Sequence, residues 1–592
     1  MIFFDRRRPP FSTELFYQVG LVWLLASVIM VAVNWQGIVG LRLPDGDDAL
    51  RLVQLRDLVA GQAWFDLHQY RIDPPQGVLM HWSRLVDLPL LLIYAVLAPL
   101  LGADLAERLT LVLVPLLALG ATLLLTGRLA WRLFGQSVVP YACIVLVLCS
   151  TVTAQLQPMR IDHHGWQIVC FLAALNGLAA RDAHAGGNVA GVAMGLGVAI
   201  SMELLPLAAM IGAAAAWRWL RDAKAGELCQ AYLRALALTA VFAFVVTRGV
   251  ADPVNHCDAL SPAYLAGLLV MANAFAMLGR IDNLPPLLLV LGMVVGVAAG
   301  IGQVLGLAPQ CIAGPFAMLD PLVQRYWYGN VLEGLPIWHQ DPAAILRIIV
   351  PPLVGIWAML RLWQRSGGWL GRFWDEYLLI ALGALGLAVM VSRSAIFVTA
   401  MAAVPLGWYL SDWRRRAIEA GQRYGPKAAL GLILVLIAAP HLPLATFRMA
   451  APALASAGPR AALACDVPAA AQALSALPTS TIFAPIDSGP LLLLHSDHSV
   501  VATAHHRGVR GLHDTIAGFL AQPETAEAFV RRRGARYVLI CPALTEAAIY
   551  RAAAPQGLMS QLAQGRTPAW LHPIALPRHS GLLMWEVVPQ SY

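Results

Sequence analysis

Carboxylates beside apolar runs are expensive to place, so their positions in a chain are informative. Three such groups stand out here: Asp45, Asp47 and Asp48; Asp162-His163-His164; and Glu333, with Asp320 shortly before it. Carboxylate oxygens and imidazole nitrogens together make a ligand set for a divalent cation such as Mn²⁺ or Mg²⁺. As a Lewis acid, such a cation neutralises charge developing on a leaving phosphate, which suits transfer of a sugar from a phosphate-bearing donor. Taken singly, each group reads better as a solvated loop, and His163-His164 equally well as an interfacial pair. Their joint placement is what favours a site.

Two basic groups could serve the same chemistry. Arg393 opens an apolar run, and a guanidinium grips phosphate oxygens bidentately. The alternative is a side chain that snorkels to the interface. His505-His506-Arg507 follows a strand-like piece and could face the site, with a solvated loop as the equal alternative.

The elements that must position these groups are membrane helices. Hydrophobic residues fill 59% of 592 positions and charged residues only 13%, with a mean hydropathy of +0.66. Soluble chains carry about 25% charged residues, so too little polar surface exists here to coat a water-soluble body. The net charge of +7 sits in short Lys/Arg clusters beside apolar runs. That is the positive-inside pattern of a bacterial inner-membrane protein, not a nucleic-acid surface.

Placing Arg6-Arg7-Arg8 in the cytoplasm makes the run 15–34 a retained signal anchor, since the run is long and lacks a small-residue cleavage site. It delivers a first large outer loop at about 35–106. The apolar piece Leu88–Leu101 is short and reads as an interfacial or dipping helix. Counting it as a span would put Arg128 and Arg132 outside. Twelve further spans then fall near 109–126, 138–155, 166–180, 189–202, 204–219, 232–250, 264–278, 285–305, 344–360, 377–391, 395–411 and 428–441. Arg181, Arg218, Arg221, Lys224, Arg280, Arg361, Arg365, Arg372, Arg414–Arg416, Arg423 and Lys427 all land inside. A second large outer loop covers 306–343. All three acidic groups land outside, at membrane boundaries.

The expected fold is therefore a polytopic α-helical membrane protein of about thirteen transmembrane helices, residues 1–446. An extracytoplasmic α/β domain follows at 447–592, where strand-like pieces such as Tyr537–Ile540 alternate with helical ones such as Ala526–Arg533.

These residues, in this order, resemble the catalytic subunit of oligosaccharyltransferases and the wider C-type glycosyltransferase superfamily, over nearly the whole chain. Asp47-Asp48-Ala49 through Arg56–Gly61 is similar to that family's first acidic motif and the helix after it. Gln157–His164 sits at its second, with His164 where a carboxylate is usual. Leu319-Asp320-Pro321 and Val331-Leu332-Glu333 are similar to its outer loop with a functional glutamate, and Val391-Ser392-Arg393 to the arginine that meets the donor phosphates. The resemblance implies a polyprenyl-linked sugar donor, a divalent metal and inverting transfer. Asp47 would be the catalytic carboxylate, as metal ligand, base or both, with Asp48 and Asp45 as weaker candidates. Asp162, His163, His164 and Glu333 would complete the metal site.

The family's W-W-D-Y-G motif, which reads a peptide acceptor, is replaced by Ala484-Pro485-Ile486-Asp487-Ser488-Gly489. Both tryptophans are gone, which points to a lipid or envelope-glycan acceptor. A transporter or flippase of lipid-linked precursors is the competing class. Transporters usually carry internal repeats and broken helices at the midplane, and this sequence shows no repeat.

Of eight cysteines, Cys143, Cys149 and Cys170 fall in spans and Cys229 in the cytoplasm. Cys257, Cys311, Cys465 and Cys541 fall outside, where disulfides persist. Bridges Cys257–Cys311 and Cys465–Cys541 are expected, against the alternatives of four free thiols and of other pairings among the four.

Overall fold

The computed structural model describes residues 11–419, 431, 434 and 465–589. Arg6–Arg8, Arg423, Lys427, all of the expected span at 428–441 except 431 and 434, and Tyr592 lie outside the described residues. The chain forms two compact units. One comprises Met1–Ile38, Ser83–Pro315 and Leu332–Pro452; the other comprises Val39–Trp82, Phe316–Val331 and Ala453–Tyr592.

The first unit is helical. Among the described residues, eight helices are long and apolar enough to cross a membrane, from Thr13–Val33 to Ser392–Glu419. A bilayer core of about 30 Å needs roughly 20 apolar residues in a helix. The chain is a multi-pass membrane protein. Four more of the expected spans coincide with shorter helices, Val139–Leu148, His164–Leu178, Leu205–Arg221 and Pro262–Leu278. The run 138–155 is broken because Cys149 takes an extended conformation and ends the helix at Leu148. Leu88–Leu101 lies in a 15-residue helix, Asp87–Leu101.

Small residues set the closest helix contacts. On Ala183–Ile200, Gly187 and Gly191 face the helix Gly226–Thr247 so closely that a Cβ at either would lie 2.4 Å from the Leu228 carbonyl oxygen or 2.3 Å from that of Tyr232. Any larger residue would push the backbones apart. Lipid supplies no hydrophobic drive for helix association, so such backbone approach is how membrane helices pack. A second tie is ionic: Arg218 Nε donates to the buried Glu376 at 2.9 Å, joining Leu205–Arg221 to Gly368–Met390. A third is covalent. The Cys257–Cys311 disulfide links the segment before Pro262–Leu278 to the one after Pro286–Leu307.

The second unit is α/β. Two short strands, β1 (His68–Gln69) and β2 (Val78–Leu79), pair antiparallel. Five more, β3 (Thr481–Phe483), β4 (Ser499–Val500), β5 (Ala535–Ile540), β6 (Leu571–Ile574) and β7 (Leu583–Val587), form one sheet in the order β4-β3-β5-β7-β6. The β4, β3 and β5 strands run parallel, and β7 is antiparallel to both β5 and β6. The near-continuous apolar run Tyr537–Ile540 is what a strand buried on both faces requires. The Cys465–Cys541 disulfide staples the residue after β5 to the start of this region.

The 39–82 segment belongs to this unit for clear reasons. Val500 N–H donates to the Arg71 carbonyl at 2.8 Å and Asp73 N–H to the Val500 carbonyl at 2.9 Å, which extends the edge at β4. The Arg71 guanidinium also donates to the carbonyls of Leu493 and His498 at 2.8 and 3.0 Å, and Arg56 to that of Leu494 at 3.0 Å. Cations there satisfy the orphan carbonyls at the C-terminus of the helix Gly489–His495.

Candidate active site

In the first unit, Asp162, His163 and His164 are buried side by side just where the helix His164–Leu178 begins. His163 Nδ1 lies 2.6 Å from Asp162 Oδ1, and His164 Nε2 lies 3.4 Å from Asp162 Oδ2. The supporting loop is fixed by the Met159 N–H, which donates to the Leu111 carbonyl at 2.9 Å. Arg160 Nε adds a bond to Gln155 at 3.0 Å.

The His164 tautomer follows from its other neighbour. Gln167 Nε2 donates toward Glu203 Oε2 at 3.4 Å, so Gln167 presents Oε1 to His164 Nδ1 at 2.9 Å. Nδ1 therefore carries the proton, and the Nε2 lone pair is directed at Asp162. An imidazole that donates one N–H to a fixed acceptor and aims the other nitrogen at a carboxylate is arranged as a metal ligand. One carboxylate and two imidazoles, with ligand atoms all within 4.8 Å, fit a divalent transition ion.

Glu203 links this group to the next. It stands in the short turn Met202–Leu204 between two helices, 3.9 Å from His164 Nδ1, and is ion-paired with Arg393. Part-burial would raise its carboxyl, but the Arg393 guanidinium holds it down at about 2. Arg393 Nη1 also donates to Glu333 Oε1 at 3.1 Å. The Ser392 hydroxyl donates to the Glu333 carbonyl at 2.9 Å, and the Ser392 N–H to the Leu335 carbonyl at 3.2 Å, which pins the segment carrying Glu333. One connected network thus runs Asp162–His164–Glu203–Arg393–Glu333.

In the second unit, Asp45 is the N-cap of the helix Gly46–Val59, its carboxylate accepting from the Asp47 N–H at 3.3 Å. Asp47 and Asp48 fill the first helical turn, where the helix dipole favours anions. Asp48 is wholly buried, while Asp47 keeps partial exposure. Asp320 caps Pro321–Tyr326, accepting from Leu322 and Val323 N–H at 2.9 and 3.1 Å.

Asp487 lies in the turn Ile486–Ser488, with its side chain exposed. The N–H groups of Ile486 and Asp487 donate to the two oxygens of the buried Glu546, each at 2.9 Å, and Tyr550 donates to Oε1 at 2.7 Å. Burial pushes the Glu546 carboxyl up to about 8, and the Asp487 charge adds to that, while these hydrogen bonds pull the other way. His505 and His506 meet His81, and Arg507 lies 3.5 Å from the Leu79 carbonyl.

Glu203, His81 and Glu546 are residues that reading the sequence passed over. Glu203 had a usable signal: it is an acidic residue between two apolar runs, at a boundary that the expected topology puts outside. Writing the spans back to back, 189–202 and 204–219, left it no loop to belong to. Nothing in sequence separates His81 from a loop histidine, or Glu546 from a solvated helical glutamate.

No protein-family model matches the sequence, and no curated protein matches it. Solved structures do. The archaeal oligosaccharyltransferase AglB from Archaeoglobus fulgidus, in complex with an inhibitory peptide and a dolichol-phosphate, is similar at a TM-score of 0.66 and 16% identity, over 95% of this chain and 73% of that one. A second structure of an Archaeoglobus fulgidus oligosaccharyltransferase, with Zn and sulfate, is similar at a TM-score of 0.60 and 16% identity, over 91% and 70%. The fold is that of these chains, as the resemblance in sequence implied.

Proposed function

We propose that this chain, with its oligosaccharyltransferase fold, is a membrane glycosyltransferase. It would move a sugar or glycan from a polyprenyl-(di)phosphate donor to a lipid or envelope-glycan acceptor, on the periplasmic face of a bacterial inner membrane. The observation that carries this reading is the Asp162–His164–Glu203–Arg393–Glu333 network. It joins a cation-type ligand set to a guanidinium suited to phosphate. The dolichol-phosphate in the first related structure and the Zn in the second support the same donor and metal chemistry.

In the proposed reaction, the acceptor oxygen attacks the anomeric carbon as the bond to the phosphate oxygen breaks on the opposite face, inverting that centre. Asp47 takes the acceptor proton. Arg393 holds the phosphate oxygens and stabilises the charge that collects there; Glu203 keeps the guanidinium aimed while Glu333 yields its place to the phosphate. Asp162, His163, His164 and Glu333 would hold a divalent cation, which supplies Lewis-acid neutralisation of the leaving phosphate. Asp48 and Asp45 support Asp47. Asp320, Asp487, His505, His506 and Arg507 would lie toward the acceptor. The lost tryptophans at 484–489 favour a lipid or glycan acceptor over a peptide.

The test is mass spectrometry of envelope lipids and glycans from a strain lacking the gene. One glycosylated species should vanish while its unglycosylated acceptor accumulates. The wild-type gene should restore it and the Arg393→Ala gene should not.

A further inference from the structure

Three histidines in the second unit form a compact group remote in sequence from one another. His81 follows β2, and His505 and His506 lie in the loop between β4 and the helix Val509–Leu520. Their ring nitrogens all come within 4.8 Å of one another. His81 Nδ1 and His505 Nε2 are 2.9 Å apart. Two nitrogen lone pairs do not rest at that distance unless a proton or a cation lies between them. A single N–H···N bond would account for two of the rings. The His506 ring completes the group, its centroid 4.8 Å from that of His81 and 5.0 Å from that of His505.

We propose that His81, His505 and His506 form a transition-metal site, of the kind that takes Zn²⁺, through three imidazole nitrogens with a fourth position open. The donor set decides the class of metal: three imidazoles and no carboxylate suit Zn²⁺, Cu²⁺ or Ni²⁺ and do not suit Mg²⁺. At Zn–N distances near 2.0–2.1 Å, tetrahedral ligand nitrogens lie about 3.3 Å apart. The 2.9 Å pair already stands close to that spacing, and turning the His506 ring closes the rest.

The surroundings hold the rings in place. His505 is buried, with the indole of Trp82 edge-on at 5.6 Å. Phe316 packs edge-on against His506 at 5.3 Å. Gly508 N–H donates to the His505 carbonyl at 3.0 Å and so fixes the turn. His81 and His506 keep partial exposure, which leaves a path for a metal and for a water or ligand in the open position. The metal would be a second one, chemically distinct from the carboxylate-bearing group at Asp162.

The test uses the full-length chain in detergent, stripped by chelator and titrated with Co²⁺. Wild type and Asp162→Asn should both develop the visible bands of tetrahedral Co²⁺, and Zn²⁺ should displace them. His505→Gln should lose at least ten-fold in affinity. His506→Gln, at a less buried position, should lose a similar factor even if His505→Gln fails to fold. Thermal melting should rise with Zn²⁺ in Asp162→Asn and not when either histidine substitution is added to Asp162→Asn. Unchanged bands in both histidine variants, or none in Asp162→Asn, would overturn the assignment. So would binding of inorganic phosphate that the histidine substitutions abolish while metal uptake is unchanged, because the group would then be an anion site.

Discussion

Arg393 Nη1 donates to Glu333 Oε1 at 3.1 Å, from opposite ends of a stretch of sixty residues. Glu203 pairs with the same guanidinium, and in the proposed reaction a donor phosphate takes the place of Glu333. Arg393→Ala should therefore lower transfer by about 100-fold, in line with the few kcal/mol that one charged donor to a developing anion contributes. Arg393→Lys should recover only part of this, because an ammonium cannot reproduce the bidentate fork. Initial rates on isolated membranes check both. Equal activity of Arg393→Ala and wild type would remove the phosphate role.

Glu203→Gln keeps the shape of the side chain but removes the charge that holds Arg393. Transfer should fall about ten-fold, with the loss mainly in the apparent KM for the lipid donor, since a positioning residue acts through the guanidinium. A fall in kcat alone at unchanged KM would contradict that role.

Chelation should silence the wild type, and Mn²⁺ should restore it better than Mg²⁺, because two of the three clustered ligands are imidazoles. Full activity in chelator would exclude the metal.

Stability of the α/β unit should depend on pH through Glu546. Its folded-state carboxyl is raised from 4.5 to about 8, so the folded state binds the extra proton between those values. The stabilising contribution is complete below about 4.5 and is lost as pH rises toward about 8. Thermal melting should fall across that window, and Glu546→Gln should flatten the slope. A melting temperature that rises over the same range would reverse the sign and refute the assignment.

Much of the fold was legible in the sequence. Apolar runs and Lys/Arg clusters mark membrane helices without any tertiary knowledge, and the four cysteines expected outside pair as expected, Cys257 with Cys311 and Cys465 with Cys541. Length was less legible, because a break such as the one at Cys149 depends on local backbone conformation rather than hydropathy. Of the site, Asp162, His163, His164, Arg393 and Glu333 were visible as residue types that membrane boundaries rarely tolerate. His81 was not, because what marks it is a partner distant in sequence, and Glu203 was hidden only by writing two spans back to back. Asp45 and Asp320 also cap helices, a structural role that their position near apolar runs does not reveal.

Orientation is tested by reporter fusions. Those at Arg221, Arg365 and Arg415 should report the cytoplasm, and one at Tyr592 the outer side. A cytoplasmic Tyr592 would overturn the periplasmic placement.

The central claim is sugar transfer from a lipid-linked donor, and the most direct measurement of it is mass spectrometry of envelope lipids and glycans in a deletion strain. Complementation should be compared between the wild type and Asp47→Asn, whose side chain is isosteric. The account predicts that one glycosylated lipid or glycan disappears on deletion, returns with the wild type and stays absent with Asp47→Asn at equal protein level. Loss of that species with its glycosylated lipid-linked precursor trapped on the cytoplasmic face would contradict it and identify a transporter instead, and an unchanged glycan profile would refute both.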